Sequence, residues 1–116
     1  MDTWYSRPVF FVRDTAKSLS FYIDKLGFKQ DWTYLHDGEV IVAQVSRHGF
    51  ELILNKDAAR AGSGRIYFHL TDEQVAALRD EVESKGVSTS DRQWGMPITE
   101  VPDPDGNELF FDRLSK

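Results

Sequence analysis

The chain has no cysteine among its 116 residues, which excludes a disulfide framework and any thiolate metal site. A reducing compartment fits this composition, so we expect a cytoplasmic protein. Long hydrophobic runs are absent too, because no stretch approaches the roughly 18 apolar residues that a membrane span requires. The residues after Met1 do not show a basic segment followed by an apolar run of signal-peptide length, so we expect neither a secretory signal nor a membrane partner.

Positive charge is also scarce. Lysine and arginine together number 14 against 19 aspartates and glutamates, which gives a formal net charge of -5. Nucleic acid requires a basic surface, so a nucleic-acid partner is not expected, and a cationic ligand is mildly favoured. The sequence supports no phosphate-binding loop and no Ser-His-Asp spacing that would indicate nucleophilic catalysis.

What is present suits one soluble globular domain, with 41% hydrophobic and 28% charged residues. We predict a single domain over residues 1–116, built from two similar units. The first unit is expected at about residues 6–55, a glycine-rich linker at about 56–64 and the second unit at about 65–114.

The first unit has the pattern of a strand, a helix and three more strands. Residues 6–12 are mainly apolar, β-branched or aromatic, as in a strand. Leu19, Tyr22 and Leu26 follow at helical spacing, and Gly27 suits the left-handed residue that ends a helix. The remaining predicted elements are a helix at about 15–26 and strands at about 28–35, 39–46 and 50–55.

The second unit repeats this order. Thr71 and Gln74 form a predicted capping box, and Val75, Leu78 and Val82 mark the apolar side of the helix that follows. Strands are predicted at about 65–70, 87–93, 98–101 and 108–113. The repeated order predicts an α+β fold of two tandem βαβββ units, whose strands form a curved mixed sheet with the helices on its outer face.

A turn near the end of the chain begins the last strand. Residues 103–107 have the sequence Asp-Pro-Asp-Gly-Asn, in which Pro104 presets one turn position and Gly106 suits positive φ. In the strand that follows, Leu109, Phe110 and Phe111 run together, so both faces of the strand should be covered. Helices can cover one face of this strand. The function depends on what covers its other face.

Several short motifs resemble the vicinal oxygen chelate superfamily of glyoxalases, extradiol dioxygenases and bleomycin resistance proteins. The motifs are Arg13-Asp14, Ser20-Phe21-Tyr22, Lys25-Leu26-Gly27-Phe28, Gln93-Trp94-Gly95 and Asp103-Pro104-Asp105-Gly106-Asn107. The resemblance covers nearly the whole chain and implies the duplicated βαβββ fold. Because this fold hosts lyases, epimerases, dioxygenases and drug-binding proteins, it does not decide the activity.

The resemblance also implies where a metal would bind in the metal-dependent members. It places Arg7, Glu51, Arg65 and Phe110 at the four ligand positions, and only Glu51 could donate a lone pair. No metal cofactor is therefore expected.

A shifted metal site of Glu51, His69 and Glu108 is the weaker alternative. His69 and Glu108 lie roughly 13 Å and 7 Å along their strands from the family positions, which disfavours a compact coordination sphere.

The missing ligands favour the bleomycin resistance branch. Membership there implies a homodimer that confers antibiotic resistance by sequestering its drug, without chemistry, in grooves where the two chains meet. Flat rings hold planar heteroaromatics and cations, and Asp31, Glu51 and Glu108 would favour a cationic guest. The predicted ligand-binding residues are Arg7, Trp32, Tyr34, Glu51, Arg65, Tyr67, His69, Trp94 and Phe110.

Several alternatives stay open at this point. Any of the aromatic residues could belong to the core instead, although Trp94 lies in a polar stretch where a core role is less natural. Arg7 and Arg65 could form a structural salt bridge with Glu51 rather than contact a ligand. The protein could also be a glyoxalase-like or dioxygenase-like metalloenzyme acting on a small oxygenated metabolite, or a binder of an endogenous metabolite.

Overall fold

Pro8 sets the start of the first strand. The computed structural model describes residues 2–113, and strand β1 covers Val9–Val12 rather than beginning at Ser6 as predicted. Proline has no amide hydrogen to donate to a sheet. Its carbonyl still accepts a hydrogen bond from the Ile53 amide at 3.0 Å. Pairing with the neighbouring strand therefore begins at this residue.

The first unit otherwise follows its predicted order. Asp14 caps the first helix by accepting a hydrogen bond from the Lys17 amide at 3.1 Å. Gly27 takes the left-handed φ of +71° just beyond the helix. The elements are helix α1 at Thr15–Ser20, continued by a π-helical turn at Phe21–Lys25, and strands β2 at Lys29–His36, β3 at Glu39–Arg47 and β4 at Phe50–Lys56.

In the second unit the predicted capping box is confirmed, because Thr71 and Gln74 exchange both of its hydrogen bonds. The elements are strand β5 at Arg65–Phe68, helix α2 at Asp72–Ser84 and strands β6 at Ser90–Gln93, β7 at Pro97–Pro102 and β8 at Glu108–Asp112. The predicted end of this unit at Leu114 lies outside the described residues, and the domain boundaries stay a prediction. Neither α1 nor α2 is long and apolar enough to cross a membrane.

The strands form two four-stranded sheets, with the orders β1-β4-β3-β2 and β5-β8-β7-β6. In each sheet the first and last strands of the unit pair in parallel, and the other pairs are antiparallel. The predicted α+β fold of two βαβββ units is confirmed, and its strands are divided between two four-stranded sheets of the same topology rather than joined in one. Contacts between the units come from side chains and from a turn instead.

One hydrophobic core joins the two units. Four phenylalanine rings cross the boundary in sequence: Phe28 to Phe50, Phe50 to Phe68 and Phe68 to Phe111, with centroids 6.2, 4.7 and 4.8 Å apart. The buried members of the core are Phe10, Val12, Tyr22, Leu26, Phe28, Val45, Leu52, Leu54, Val82, Val101, Leu109 and Phe111. Each sheet therefore turns one face toward this shared core, and its other face points away from it.

The turn at 103–107 fastens the second unit to the first. Asp103 is buried and accepts hydrogen bonds from the Tyr22 hydroxyl and the Asn107 side-chain amide, both at 3.0 Å. Burial raises the pKa of Asp103 even though these hydrogen bonds oppose the rise. Asn107 in turn donates to the Phe11 carbonyl at 3.0 Å, and Asp105 pairs with Arg13 at 3.0 Å. The motif is thus a structural connection between the units.

Candidate functional site

Two open faces carry the predicted site residues, one on each sheet. On β4, Leu52 and Leu54 enter the core, so alternation places Glu51 on the opposite side, next to Ser46 of β3. The first open face comprises Arg7, Asp31, Trp32, Tyr34, Gln44, Ser46 and Glu51. The second open face comprises Arg65, Tyr67, Arg92, Trp94, Glu100, Glu108, Phe110 and Asp112.

Polar side chains on the first open face are linked to one another. Asp31, at an irregularity in the β2–β3 register, accepts hydrogen bonds from the Gln44 amide and the Ser46 hydroxyl, both at 2.9 Å. The hydrogen bond from Gln44 is the largest cause of a lowered pKa at Asp31. Gln44 accepts in turn from the Arg7 guanidinium at 2.7 Å. These side chains therefore form hydrogen bonds with one another in the absence of a ligand.

Glu51 stands apart from this network. Its side chain is half-buried, and its Oε1 atom is buried with no hydrogen-bond partner within residues 2–113. The salt bridge expected among Arg7, Glu51 and Arg65 is not formed within the chain. Arg7 bonds to Gln44, and Arg65 pairs with Glu108 on the other sheet. Arg65 lies opposite Glu108 in the parallel β5–β8 register, and Arg7, which precedes β1, reaches Gln44 of β3.

Aromatic rings lie exposed on both open faces. Trp32 and Tyr34 on β2 are 39% and 56% exposed, and Trp94, just after β6, is 38% exposed. A core role is thereby excluded for these three residues in the free chain. Tyr67 lies beside Trp94, with ring centroids 5.7 Å apart.

Phe110 behaves differently, since its ring is fully buried. The guanidinium carbons of Arg65 and Arg92 lie 4.6 and 5.3 Å from its ring centroid, and Trp94 meets it edge-on at 5.0 Å. These side chains cover the face of β8 that the helices do not. A ligand on this sheet would therefore meet the two guanidinium groups before it met Phe110.

Carboxylates fix both arginines in place. Glu108 accepts from Arg65 at 2.6 Å and lies 3.7 Å from Arg92, and Glu100 accepts from Arg92 at 2.5 Å. The hydrogen bond from Arg65 is the largest cause of a lowered pKa at Glu108. This cluster neutralises itself, so it offers flat guanidinium surfaces with little net charge.

Asp112 gathers the remaining polar groups of the second open face. It accepts hydrogen bonds from the Tyr67 hydroxyl and from the Leu70 amide, the latter at 2.8 Å. His69 Nδ1 lies 2.7 Å from the same carboxylate, while the His69 side chain is 86% exposed. The hydrogen bond to Asp112 also raises the pKa of Tyr67. His69 therefore lies at the edge of this face as a surface residue.

The residues at the family's metal positions do not fit a metal ion. In the part of the chain that the structure describes, no three His, Asp or Glu side chains are arranged to hold one. Glu51 lies on the first sheet, whereas Glu108 lies on the second and pairs with Arg65, and His69, just after β5, pairs with Asp112. The shifted metal site is thus not assembled within this chain.

Sequence reasoning missed several of these residues. They are Gln44, Ser46, Arg92, Glu100 and Asp112. Gln44 and Ser46 alternate with apolar residues in β3, and this period of two could have assigned them to the open face. Glu100 gives no such signal, because its role depends on lying opposite Phe110 in the β7–β8 register.

The fold and the two faces define a class of protein: a duplicated βαβββ chain with exposed aromatic rings and hydrogen-bonded polar networks on its open sheet faces. A family model described as the Glyoxalase/Bleomycin resistance protein/Dioxygenase superfamily matches residues 4–111. The chain belongs to this superfamily, as its motifs indicated.

Solved structures of other proteins share the fold. The bleomycin-binding protein from bleomycin-producing Streptomyces verticillus, complexed with copper(II)-bleomycin, is 23% identical with a TM-score of 0.75, covering 99% of this chain and 100% of its own. TnmS3, an antibiotic-binding protein from a Streptomyces species, is 22% identical with a TM-score of 0.70 over the same shares. No curated protein matches the sequence significantly.

Proposed function

We propose that this protein binds a planar small molecule, preferentially a cation, and sequesters it without a metal and without chemical change. The observation that carries the proposal is the exposure of Trp32, Tyr34 and Trp94 on open sheet faces. Large rings held by a rigid sheet and left in water are typical of surfaces that stack against a flat ligand. A cytoplasmic location belongs to the same proposal.

The groove is proposed to form between two copies of the chain. Both sheets turn their other faces toward one shared core, so the two open faces of a single chain are directed away from it. A second copy could bring its second open face against the first open face of its partner. The resulting homodimer would have two equivalent grooves, each lined by both chains.

The ligand surfaces differ between the two faces. The first open face supplies Trp32 and Tyr34 on β2 and the half-buried carboxylate of Glu51 two strands away, and the second supplies Trp94 and Tyr67 beside the neutralised pair of arginines. Guanidinium planes and indole rings both stack on flat heteroaromatics. A planar molecule held between these faces would be contacted on both sides.

Two of the solved relatives support binding. One is a bleomycin-binding protein complexed with copper(II)-bleomycin and the other is described as an antibiotic-binding protein, and both share the fold of this chain. No group of three His, Asp or Glu side chains within residues 2–113 supports the metalloenzyme alternative.

The proposal is tested with untagged protein dialysed against a chelator. Tryptophan fluorescence and calorimetry should detect saturable binding of bleomycin or of planar aromatic cations. Trp94→Ala should weaken that binding by about 1 kcal/mol or more, since one stacking surface is lost. An intact dimer that binds no planar compound would refute the proposal. Stoichiometric zinc, nickel, iron or manganese in the purified protein before that dialysis would support the metalloenzyme instead.

A further inference from the structure

The carboxylates on the two open faces are almost all engaged. Asp31 accepts from Gln44 and Ser46. Glu100 and Glu108 pair with Arg92 and Arg65. Asp112 accepts from Tyr67 and the Leu70 amide, so its charge is likewise stabilised by donors of its own chain.

Glu51 is the exception among them. Its Oε1 has no hydrogen-bond partner in residues 2–113, although little or no water reaches this atom. Two donors of the first open face are directed elsewhere: Ser46, opposite Glu51 in the register, donates to Asp31, and Arg7 donates to Gln44. A carboxylate oxygen withdrawn from water without a donor destabilises the free protein.

The side chain is nevertheless only half-buried, and it lies on the open face of β4. A compensating donor can therefore reach the carboxylate from the groove side. Trp32 of β2 pairs with Gln44 of β3, and Gln44 pairs with Ile53 of β4, two residues from Glu51. Trp32 therefore lies on the same face as Glu51, two strands away and offset by two residues along the strand. These offsets separate the Trp32 and Glu51 backbones by roughly 12 Å.

We propose that Glu51 anchors a positively charged N–H group of the ligand, whose flat ring system extends toward Trp32. This inference rests on the proposed function and specifies its ligand class: a planar cation about as long as three fused rings, with an amino group at one end. The charge-assisted hydrogen bond would form only in the complex, and it would offset the burial of the carboxylate.

The test compares two fluorescent probes and two variants. Proflavine is a planar tricyclic cation with terminal amino groups, and acridine at pH 8 has the same rings without charge or amino groups. Glu51→Gln preserves shape and removes the charge, while Glu73→Gln, on the exposed surface of α2, is the matched control. Affinity for each probe and the melting temperature of the ligand-free protein are measured for all three proteins.

We expect Glu51→Gln to weaken proflavine binding about ten-fold or more, with acridine binding changed less than about two-fold. The ligand-free variant should melt at the same or a higher temperature, because an uncompensated charge has been removed. Glu73→Gln should change neither quantity.

Two results would overturn the inference while leaving the proposed function standing. One is unchanged proflavine affinity in Glu51→Gln. The other is a lower melting temperature or a dissociated dimer in that variant, which would mean that a donor of the partner chain already neutralises Glu51. If neither probe nor any other planar compound binds the unmodified protein, the proposed function itself fails, and the inference with it.

Discussion

At the scale of single residues, Phe110 illustrates how burial changes a role. The family resemblance placed this residue at an expected metal-ligand position, and its ring was expected to contact a ligand. In the fold the ring supports Arg65, Arg92 and Trp94, which cover it completely. The exposed groups above Phe110, and not its ring, form the surface available to a ligand.

Asp103 is the residue whose loss should damage the fold most directly. It accepts from the Tyr22 hydroxyl, the Asn107 side chain and the backbone amides of Asp105 and Asn107. Asp103→Ala would leave buried donors without an acceptor, so we expect the free energy of unfolding to fall by about 2–4 kcal/mol.

Denaturant titration of Asp103→Ala checks this expectation. Asp80→Ala, on the exposed surface of α2, serves as the control and should change stability by less than about 0.5 kcal/mol. Equal stability of the two variants would show that the 103–107 turn does not hold the units together.

At the scale of elements, sequence patterns gave the order and type of the helices and strands but not all of their ends. Strand β6 begins at Ser90 rather than Val87, because the Val87 amide donates to the Val82 carbonyl at 2.9 Å and closes the end of α2. Strand β5 ends at Phe68 because the Leu70 amide turns to the Asp112 side chain. Both departures depend on contacts that local periodicity does not encode.

The site was predictable to a similar extent. The resemblance placed Glu51 and Arg65 at site positions, and the strand registers put both residues, with Tyr67, on the open faces. It could not assign their partners, because the pairing of Arg65 with Glu108 requires the parallel register of β5 and β8. Long-range register is set by packing, which a single sequence does not display.

An ion pair between a residue of β3 and a residue of α2 connects the two units. Arg47 donates two hydrogen bonds to Glu81, at 2.9 and 2.8 Å, and a third to the Leu26 carbonyl at 2.7 Å. The hydrogen bond from Arg47 is the main cause of a Glu81 pKa below its usual 4.5. Unfolded Glu81 therefore binds a proton at a higher pH than folded Glu81 does.

This difference predicts a pH dependence of stability. The contribution of ionised Glu81 is fully present above about pH 4.5 and is lost as the pH falls through its lowered folded pKa. Glu81→Gln should thus be less stable than the unmodified protein at pH 7, and the gap should narrow below pH 4.5. Thermal unfolding across this range measures the gap, with Glu83→Gln of the same helix as control. A gap that stays constant with pH would contradict the assignment.

At the scale of the whole molecule, the feature most important for ligand binding is that the two open sheet faces are separate and directed outward. Each face has aromatic rings, but within one chain the faces belong to separate sheets joined through a common core. A ligand contacted on both sides therefore requires a second chain. The requirement for a second chain is the central claim of the proposed function, because neither face alone contacts both sides of the ligand.

Mixed dimers provide the most direct test of this claim. Trp32→Ala alters the first open face and Trp94→Ala the second, so each homodimer should bind a planar cation weakly. When the two variants are refolded together, a mixed dimer would contain one groove with both changes and one with neither. Random pairing should then restore unmodified affinity to about a quarter of the grooves. Calorimetry that finds only weak sites in the mixture would contradict a groove shared between chains.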